Sequence, residues 1–266
     1  MVISVINNKG GTAKTTTTLN LAHALANKGK KVLVIDQDPQ CNSTSSLVPS
    51  NVASLGGRSL YDLYNSSNVS AKECIYHTQY ENLSVMPNLA ITASLEHKLY
   101  QDIAGSYMLG RKIIDQVGDD YDFIFFDNPP TLGVWVIMSL IASDCAIIPV
   151  EAGSKYSLDG LVAAIDAIEG VSKTANPSLR FLRLLINRVD LRTSVSRVTV
   201  DFIRSRFGEN KVFATTIPEN TQIKQAELAG KTVLRHAPQS VAAKRYRELA
   251  DEFLQIIDSE QPELGL

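Results

Sequence analysis

Apolar residues follow two periods along this chain, and the two alternate. Residues 2–6 are an almost unbroken apolar run, the pattern of a strand covered on both faces, and residues 31–36, 83–87, 121–126, 145–150, 181–187 and 212–217 repeat it. Between these runs the spacing lengthens to that of helices. Leu19, Ala22, Leu25 and Ala26 share one face of a helix predicted over residues 14–30 and stopped at Gly29. Further helices are predicted over 91–117 with an interruption, then 134–142, 157–171, 193–207 and 240–257, the last amphipathic. Strand and helix in succession predict an α/β fold, a doubly wound, mostly parallel twisted sheet with helices on both faces and right-handed crossovers.

One connection departs from this rhythm. Residues 42–68 are rich in Ser and Asn, carry Gly56-Gly57, and read as a long mobile link with one short helix near residues 60–64. Repeats and low-complexity tracts are absent, so a single domain is expected over residues 1–258, with a frayed acidic tail at 259–266. A chain of 266 residues, 44% hydrophobic and 20% charged, is long enough and ordinary enough for one such domain. No window approaches eighteen apolar residues, and the N-terminus enters a strand without a basic region or cleavage site, which makes the cytoplasm the expected location. Cys41, Cys74 and Cys145 lie far apart with no CxxC pair, so reduced structural roles are expected rather than a disulfide framework or a zinc site.

The chemistry concentrates where the first strand breaks into Asn8-Lys9-Gly10-Gly11-Thr12-Ala13-Lys14-Thr15-Thr16. Glycines running into a Lys-Thr-Thr helix start aim successive N–H groups and the positive helix end at one spot, which suits a polyphosphate and makes the sheet one of P-loop NTPase type. Gly10, Gly11, Thr12, Ala13 and Thr16 complete the cradle, Lys14 can reach the β- and γ-phosphates, and the Thr15 hydroxyl can ligate Mg²⁺. Ala13 stands where the full pattern has glycine, a methyl expected to be tolerated. Lys9 sits at the loop's entrance, where its own subunit has little use for it, and is expected to serve a nucleotide held by a neighbouring copy.

Carboxylates follow at two strand ends. Asp36-Gln37-Asp38-Pro39-Gln40 closes one strand and Asp127-Asn128-Pro129-Pro130 another, the second fitting a Walker B element. Hydrolysis of a nucleotide needs cradled phosphates, a metal and a group that orients water. Asp127 with Thr15 is expected to hold Mg²⁺, Asp36 to support its outer shell, and Asp38 to position the nucleophile. A plain turn-capping role before Pro39 is the alternative for Asp38. Lys9, Lys14 and Asp38 thus make the candidate catalytic set.

Charge adds one further feature. Net charge is −2, but residues 171–250 hold 15 Lys and Arg against 6 Asp and Glu, a local +9 set against −11 elsewhere. Such asymmetry suits a phosphate backbone bound without sequence readout, and a solvated helix face is the alternative.

Taken together, the Lys9-to-Thr16 loop, the Asp36-to-Gln40 and Asp127-to-Pro130 segments, Tyr156-Ser157-Leu158-Asp159-Gly160-Leu161, Asn187-Arg188-Val189-Asp190, Ile217-Pro218-Glu219-Asn220 and the stretch from Ala226 to Leu234 resemble the deviant-Walker ParA/MinD family of positioning ATPases, in particular its ParA/Soj branch. The resemblance covers nearly the whole chain. It implies an ATPase using ATP and Mg²⁺, with Lys9 crossing to the partner's phosphates so that ATP seals a homodimer. It implies Lys14 as the ordinary Walker lysine, Asp38 as required for hydrolysis, and adenine contacts from Asn187 and Pro218. It further implies non-specific DNA binding by the ATP dimer on the nucleoid, and a ParB-like or cargo-adaptor protein that stimulates hydrolysis. Arg192 matches a family arginine linked to DNA; Gln222 stands where relatives are usually basic, with Lys224 nearby as a substitute. Arg197, Arg235, Lys244, Arg245 and Arg247 join the DNA-binding candidates by clustering. Asn128 replaces a small or sulfur-bearing residue, and no helix-turn-helix precedes the first strand, which argues against a ParA that represses its own operon.

Rival readings make distinct demands. A MinD-like membrane ATPase needs a basic amphipathic tail, whereas Asp258-Ser259-Glu260-Gln261-Pro262-Glu263 is acidic, so no membrane partner is expected. An iron–sulfur reductase needs cysteines soon after Asp127, and none lies between Asp127 and Cys145. An amide-forming ligase on the same scaffold would show a small-molecule product and an ATPase indifferent to DNA. A scaffold that has lost hydrolysis is raised by Ala13 and countered by Lys14, Asp38 and Asp127.

Overall fold

The computed structural model describes residues 1–48, 57–153 and 157–260. Its centre is a seven-stranded sheet in the order β3-β4-β2-β5-β1-β6-β7, built from β1 (Val2–Val5), β2 (Val32–Asp36), β3 (Tyr76–His77), β4 (Leu83–Met86), β5 (Phe123–Asp127), β6 (Cys145–Glu151) and β7 (Arg180–Asn187). All neighbours are parallel except β3 and β4. Parallel pairing requires long crossovers, and the helices supply them: α1 (Lys14–Ala26), α2 (Asn42–Leu47), α3 (Leu60–Asn65), α4 (Glu96–Gln101), α5 (Ile103–Val117), α6 (Val134–Ala142), α7 (Ser157–Thr174), α8 (Ser194–Phe207), α9 (Thr221–Leu228), α10 (Val233–His236) and α11 (Val241–Glu260).

The continuous apolar runs are strands because both faces are covered: every residue of β1, β2, β4 and β5 is buried. On one face α1 packs with α11, setting Leu21 and Leu25 in one cluster with Tyr246, Leu249 and Phe253. Phe253 meets the Phe123 ring edge-on at 5.4 Å. Each such fully buried side chain contributes about 1.5–3 kcal/mol, so the closing helix is a structural strap. The opposite face carries Leu60, Ile113 and Trp135 from α3, α5 and α6, and a third cluster joins α6, α7 and α8 around β6 and β7.

Several expectations need correction. Residues 212–217 are not a strand: only isolated bridges link Leu184 with Val212 and Val189 with Pro218. Phe213 and Ile217 still donate backbone hydrogen bonds to β7, but the N–H groups of Ala214 and Thr215 are drawn to the Glu252 carboxylate at 2.6 and 2.9 Å. A side chain of α11 thereby takes the donors a ladder would use. Within 42–68, the link begins with α2, whose Ser45 and Ser46 hydroxyls bond the carbonyls four residues back; composition that reads as loop is compatible with a short helix. Gly56 in that link, and Tyr156 in the later motif, lie outside the described residues. The 91–117 helix is a 3₁₀ turn (Ala90–Leu95) followed by α4 and α5, interrupted at Asp102. The edge strand β3 and helices α9 and α10 were not foreseen, being too short to show a period. α11 continues to Glu260, past the boundary at 258, and the remainder of the acidic tail lies outside the described residues.

Strand register places the site. Val5 pairs with Asp127, and Asp127 with Asp36, so two carboxylates and the start of the glycine loop emerge at one level from three adjacent strands. Among the described residues, no helix is long and apolar enough to cross a membrane.

Candidate functional site

The loop after β1 turns through two left-handed residues, Gly11 at φ 80° and Ala13 at φ 67°. A Cβ at Gly10 or Gly11 would meet nothing within 4 Å, so both glycines face open space suited to a ligand pressed against backbone. Ala13 is the N-terminal flank of α1, and its carbonyl accepts from Thr17 N–H at 2.8 Å. The left-handed region costs a residue with a side chain about 1–2 kcal/mol, which is the physical reason glycine is usual there. Ala13→Gly is therefore expected to raise stability by about 0.5–1 kcal/mol after the glycine's greater unfolded-state entropy is subtracted. A thermal melt without nucleotide checks this, and a lowered melting temperature would contradict it.

Lys14 is buried, with its Nζ donating to the Lys9 carbonyl at 2.9 Å. Burial lowers its pKa, and the carboxylates of Asp127 and Asp38 oppose the shift. The lysine is thus held over its own loop, within electrostatic reach of two of the predicted acids. Thr12 adds a hydrogen bond to the same carbonyl at 3.3 Å. Lys9 itself is half-buried at the loop entrance. Gly160 of α7 packs there, where a Cβ would come within 2.8 Å of Asn7 Oδ1 and 3.3 Å of the Asn8 carbonyl. That glycine lets α7 approach the loop.

Asp36 and Asp127 are fully buried and Asp38 nearly so. Burial raises the pKa of Asp36, and the neighbouring Asp127 raises it further. Burial likewise raises Asp127, against the opposing hydroxyls of Ser43 and Thr15. Adjacent buried carboxylates resist ionising together. α2 steadies them: Ser43 Oγ donates to Asp127 Oδ2 at 2.7 Å, while the N–H and hydroxyl of Thr44 both reach Asp36 Oδ2 at 2.7 Å. Asp127 Oδ1 is buried without a hydrogen-bond partner. An orphaned carboxylate oxygen beside Thr15 and two more aspartates fits a hard divalent cation, which takes oxygen ligands of this kind. Asp38 also caps its own turn, accepting from Gln40 N–H at 2.9 Å, so its local structural role and its place in the acidic cluster coexist.

Asn128 proves to be a clamp. Its Nδ2 donates to the carbonyls of Val5 and Phe126, and its Oδ1 accepts from Ser139 Oγ at 2.8 Å. It fastens β1 to β5 and α6 directly behind the cluster, a polar role open to asparagine in a buried setting.

A cleft of about 650 Å³ lies over the loop, bounded by Lys14, Asp38, Ser45, Pro130 and Lys231. A smaller recess adjoins it, lined by Asn187, Pro218, Ile223, Lys224 and Tyr246. Asn187 is 1% exposed with an unpartnered Oδ1, an acceptor available to a ligand. Asn187 and Pro218 therefore share one recess, which borders the phosphate loop at Ala13 and Thr16.

The seven basic candidates do not form one patch. Arg235, Lys244, Arg245 and Arg247 gather on α10 and the start of α11, where Lys244 and Arg245 both face Glu248 at 3.9 and 2.6 Å. Arg247 Nη2 donates to the Pro238 carbonyl. Arg192 and Lys224 lie around Glu219 instead, with Lys224 at 3.7 Å from it. Arg192, 91% exposed, forks onto Asp190 at 2.8 and 2.9 Å. Arg197 holds the Leu191 carbonyl. Four of the seven thus sit against a carboxylate, which weakens the positive field that a charge count along the chain suggests.

Ser43, Thr44, Gly160 and Glu227 belong to this region although motif reasoning assigned them no role. Ser43 and Thr44 follow the Asp36 segment closely, and that proximity was the available signal.

Comparison with known proteins accords with this geometry. A family model described as AAA domain matches residues 1–181. The chromosome-partitioning ATPase Soj of Thermus thermophilus is 35% identical over 95% of this chain and 94% of its own length. Among solved structures, a cobyrinic acid a,c-diamide synthase from Mycobacterium smegmatis with bound ADP and magnesium superimposes with TM-score 0.81 at 29% identity, covering 97% of this chain and 95% of that one. The septum site-determining protein MinD of Pyrococcus horikoshii, complexed with Mg-ADP, gives TM-score 0.76 at 25% identity over 95% of each chain.

Proposed function

The chain belongs to the ParA/Soj family of partition and positioning ATPases, and we propose that it forms an ATP-sealed homodimer which binds DNA without sequence preference and positions a cargo until a ParB-like partner stimulates hydrolysis. ATP with Mg²⁺ is its substrate pair. The observation that carries the reading is the convergence of Lys14, Thr15, Asp36, Asp38 and Asp127 at the ends of three neighbouring strands.

In this reading the loop N–H groups and the α1 N-terminus bind the phosphates, and Lys14 leaves the Lys9 carbonyl for the β- and γ-phosphate oxygens. Thr15 and Asp127, with Asp36 behind them, would hold Mg²⁺, which would supply charge neutralisation on the phosphates. Asp38 accepts a hydrogen bond from the attacking water and orients it. Asn187 Oδ1 takes the adenine amino group, with Pro218 along the base. Lys9, at the entrance, reaches the phosphates held by the other subunit, so the dimer lasts only while the triphosphate does. Asn7, Asn8 and the close approach of α7 at Gly160 set the direction of that entrance.

DNA binding follows from pairing. In one subunit four of the seven basic candidates sit against a carboxylate, whereas two copies side by side double the phosphate contacts and join them in one binding event. This supports residence on the nucleoid in ATP and release afterwards. Arg192→Ala is expected to weaken DNA binding in ATP by about tenfold and to flatten its salt dependence, while ATP-driven pairing is retained. Filter retention of plasmid fragments across a salt series measures both; unchanged affinity would remove Arg192 from the interface. The likeness to the Mycobacterium synthase supports a second reading, an amide-forming ligase. A ligase would couple ATP turnover to a small substrate and ignore DNA.

A further inference from the structure

The two recesses of the nucleotide site meet along a short seam, lined from both sides by Ala13, Thr16, Arg188, Ile223 and Glu227. At this seam Thr16 Oγ1 donates to Glu227 Oε1 at 2.5 Å, joining the first turn of α1 to the last of α9 across 211 residues of sequence. A nucleotide that places its phosphates on the loop and its base beside Asn187 and Pro218 must lay its sugar across this seam. The donor and acceptor inventory there is restricted. Ala13 and Ile223 offer no polar side chain. Arg188 can only donate, and its Nη1 is engaged by Glu151 at 3.1 Å. Thr16 stands at the phosphate end. Glu227 is the side chain of the seam that accepts without donating, and its two oxygens match two adjacent hydroxyl donors.

A carboxylate this close to a polyphosphate is electrostatically unfavourable unless hydroxyl donors stand between them. A ribose supplies such donors, and dinucleotide sites use an acidic residue on the ribose hydroxyls for the same reason. We propose that Glu227 is the sugar-reading residue of this site: it exchanges the Thr16 hydroxyl for the 2′- and 3′-hydroxyls of the bound nucleotide, and so selects ribonucleotides over 2′-deoxyribonucleotides. The exchange also frees Thr16 to turn to the phosphates. This inference rests on the ATPase reading, which places a nucleotide here in the first place.

The test is calorimetric titration of the full chain with ATP, 2′-deoxy-ATP and 3′-deoxy-ATP in the presence of Mg²⁺, for the native protein and for Glu227→Ala and Glu227→Gln. A hydrogen bond to a charged acceptor predicts that each deoxy analogue binds the native protein about tenfold more weakly than ATP. In Glu227→Ala the three affinities should converge to within about twofold. Glu227→Gln, which keeps an acceptor and the side chain's shape, should retain part of the discrimination, and stands in should the alanine variant fail to fold. Equal affinities in the native protein would overturn the proposal, as would discrimination undiminished in both variants. A uniform loss for all three ligands would make Glu227 a latch for Thr16 and nothing more, and would also overturn it. Failure of the native protein to bind ATP at all would instead sink the ATPase reading.

Discussion

Asp38→Asn is expected to lower the rate of ATP hydrolysis by about 10²–10⁴-fold, the usual worth of a side chain that handles a proton or orients the attacking water, without loss of the fold. Asparagine retains an oxygen for the Gln40 N–H, so the turn that Asp38 caps survives. What disappears is the negative charge. Asp38 raises the pKa of Asp36 and of Asp127 and supports the charge on Lys14. Removing it relieves repulsion among buried carboxylates, so the nucleotide-free variant should be as stable as the native protein or more stable by about 1 kcal/mol. Loss of turnover together with unchanged or increased stability is the signature of a residue placed for chemistry against the interest of the fold. A steady-state phosphate-release assay and a chemical melt on the same samples read both quantities. Retained turnover would return Asp38 to a plain turn cap.

The second large effect concerns pH. His23, on α1, is 6% exposed, bonded through Nδ1 to Thr232 Oγ1 at 2.6 Å, with its ring tilted 31° against the Tyr80 ring at 4.1 Å. Burial pushes its pKa down to about 4, and Arg235 and Arg247 push the same way. The folded form therefore resists the proton that the unfolded chain accepts near its ordinary value of 6.5. The sign follows from linkage: above that value His23 is neutral in both states and contributes no pH dependence, and as pH falls from about 6.5 to 4 the unfolded state gains protons and stability is lost. The full loss approaches about 3 kcal/mol, at 1.36 kcal/mol per pKa unit. Urea melts at pH 7.5 and 5 should show native stability falling by about 2 kcal/mol more than that of His23→Gln, whose carboxylates titrate alike and cancel in the comparison. Equal pH slopes would contradict this.

Much of the site was legible because its parts are local. The glycine loop follows directly on β1, and Asp36 and Asp127 are the last residues of their strands; one rule about strand ends in parallel sheets finds all three. Contacts between distant segments were not legible. Ser43 reaches Asp127 across 84 residues, and Thr16 reaches Glu227 across 211; Ser43 has no motif of its own, and the stretch that holds Glu227 gives no sign of the contact with Thr16. The false strand at 212–217 has the same origin, since Val212, Phe213 and Ile217 are buried as a strand pattern predicts while Glu252 of α11 claims the backbone donors between them. Net charge along the chain misled in a comparable way. It located a basic third but could not see that Asp190 sits under Arg192, or Glu248 beside Lys244 and Arg245. Asn128 looked like a departure and is a clamp, because only the folded sheet brings Val5, Phe126 and Ser139 around it.

Everything proposed about DNA and cargo depends on ATP joining two copies through Lys9. Light scattering after gel filtration, with ATP and Mg²⁺ and the Asp38→Asn substitution to slow hydrolysis, measures that directly. The expected result is the mass of two chains in ATP, one chain in ADP, and one chain in ATP once Lys9→Ala is added, with nucleotide still bound. A stable pair that survives Lys9→Ala, or a single chain in every condition, would contradict it.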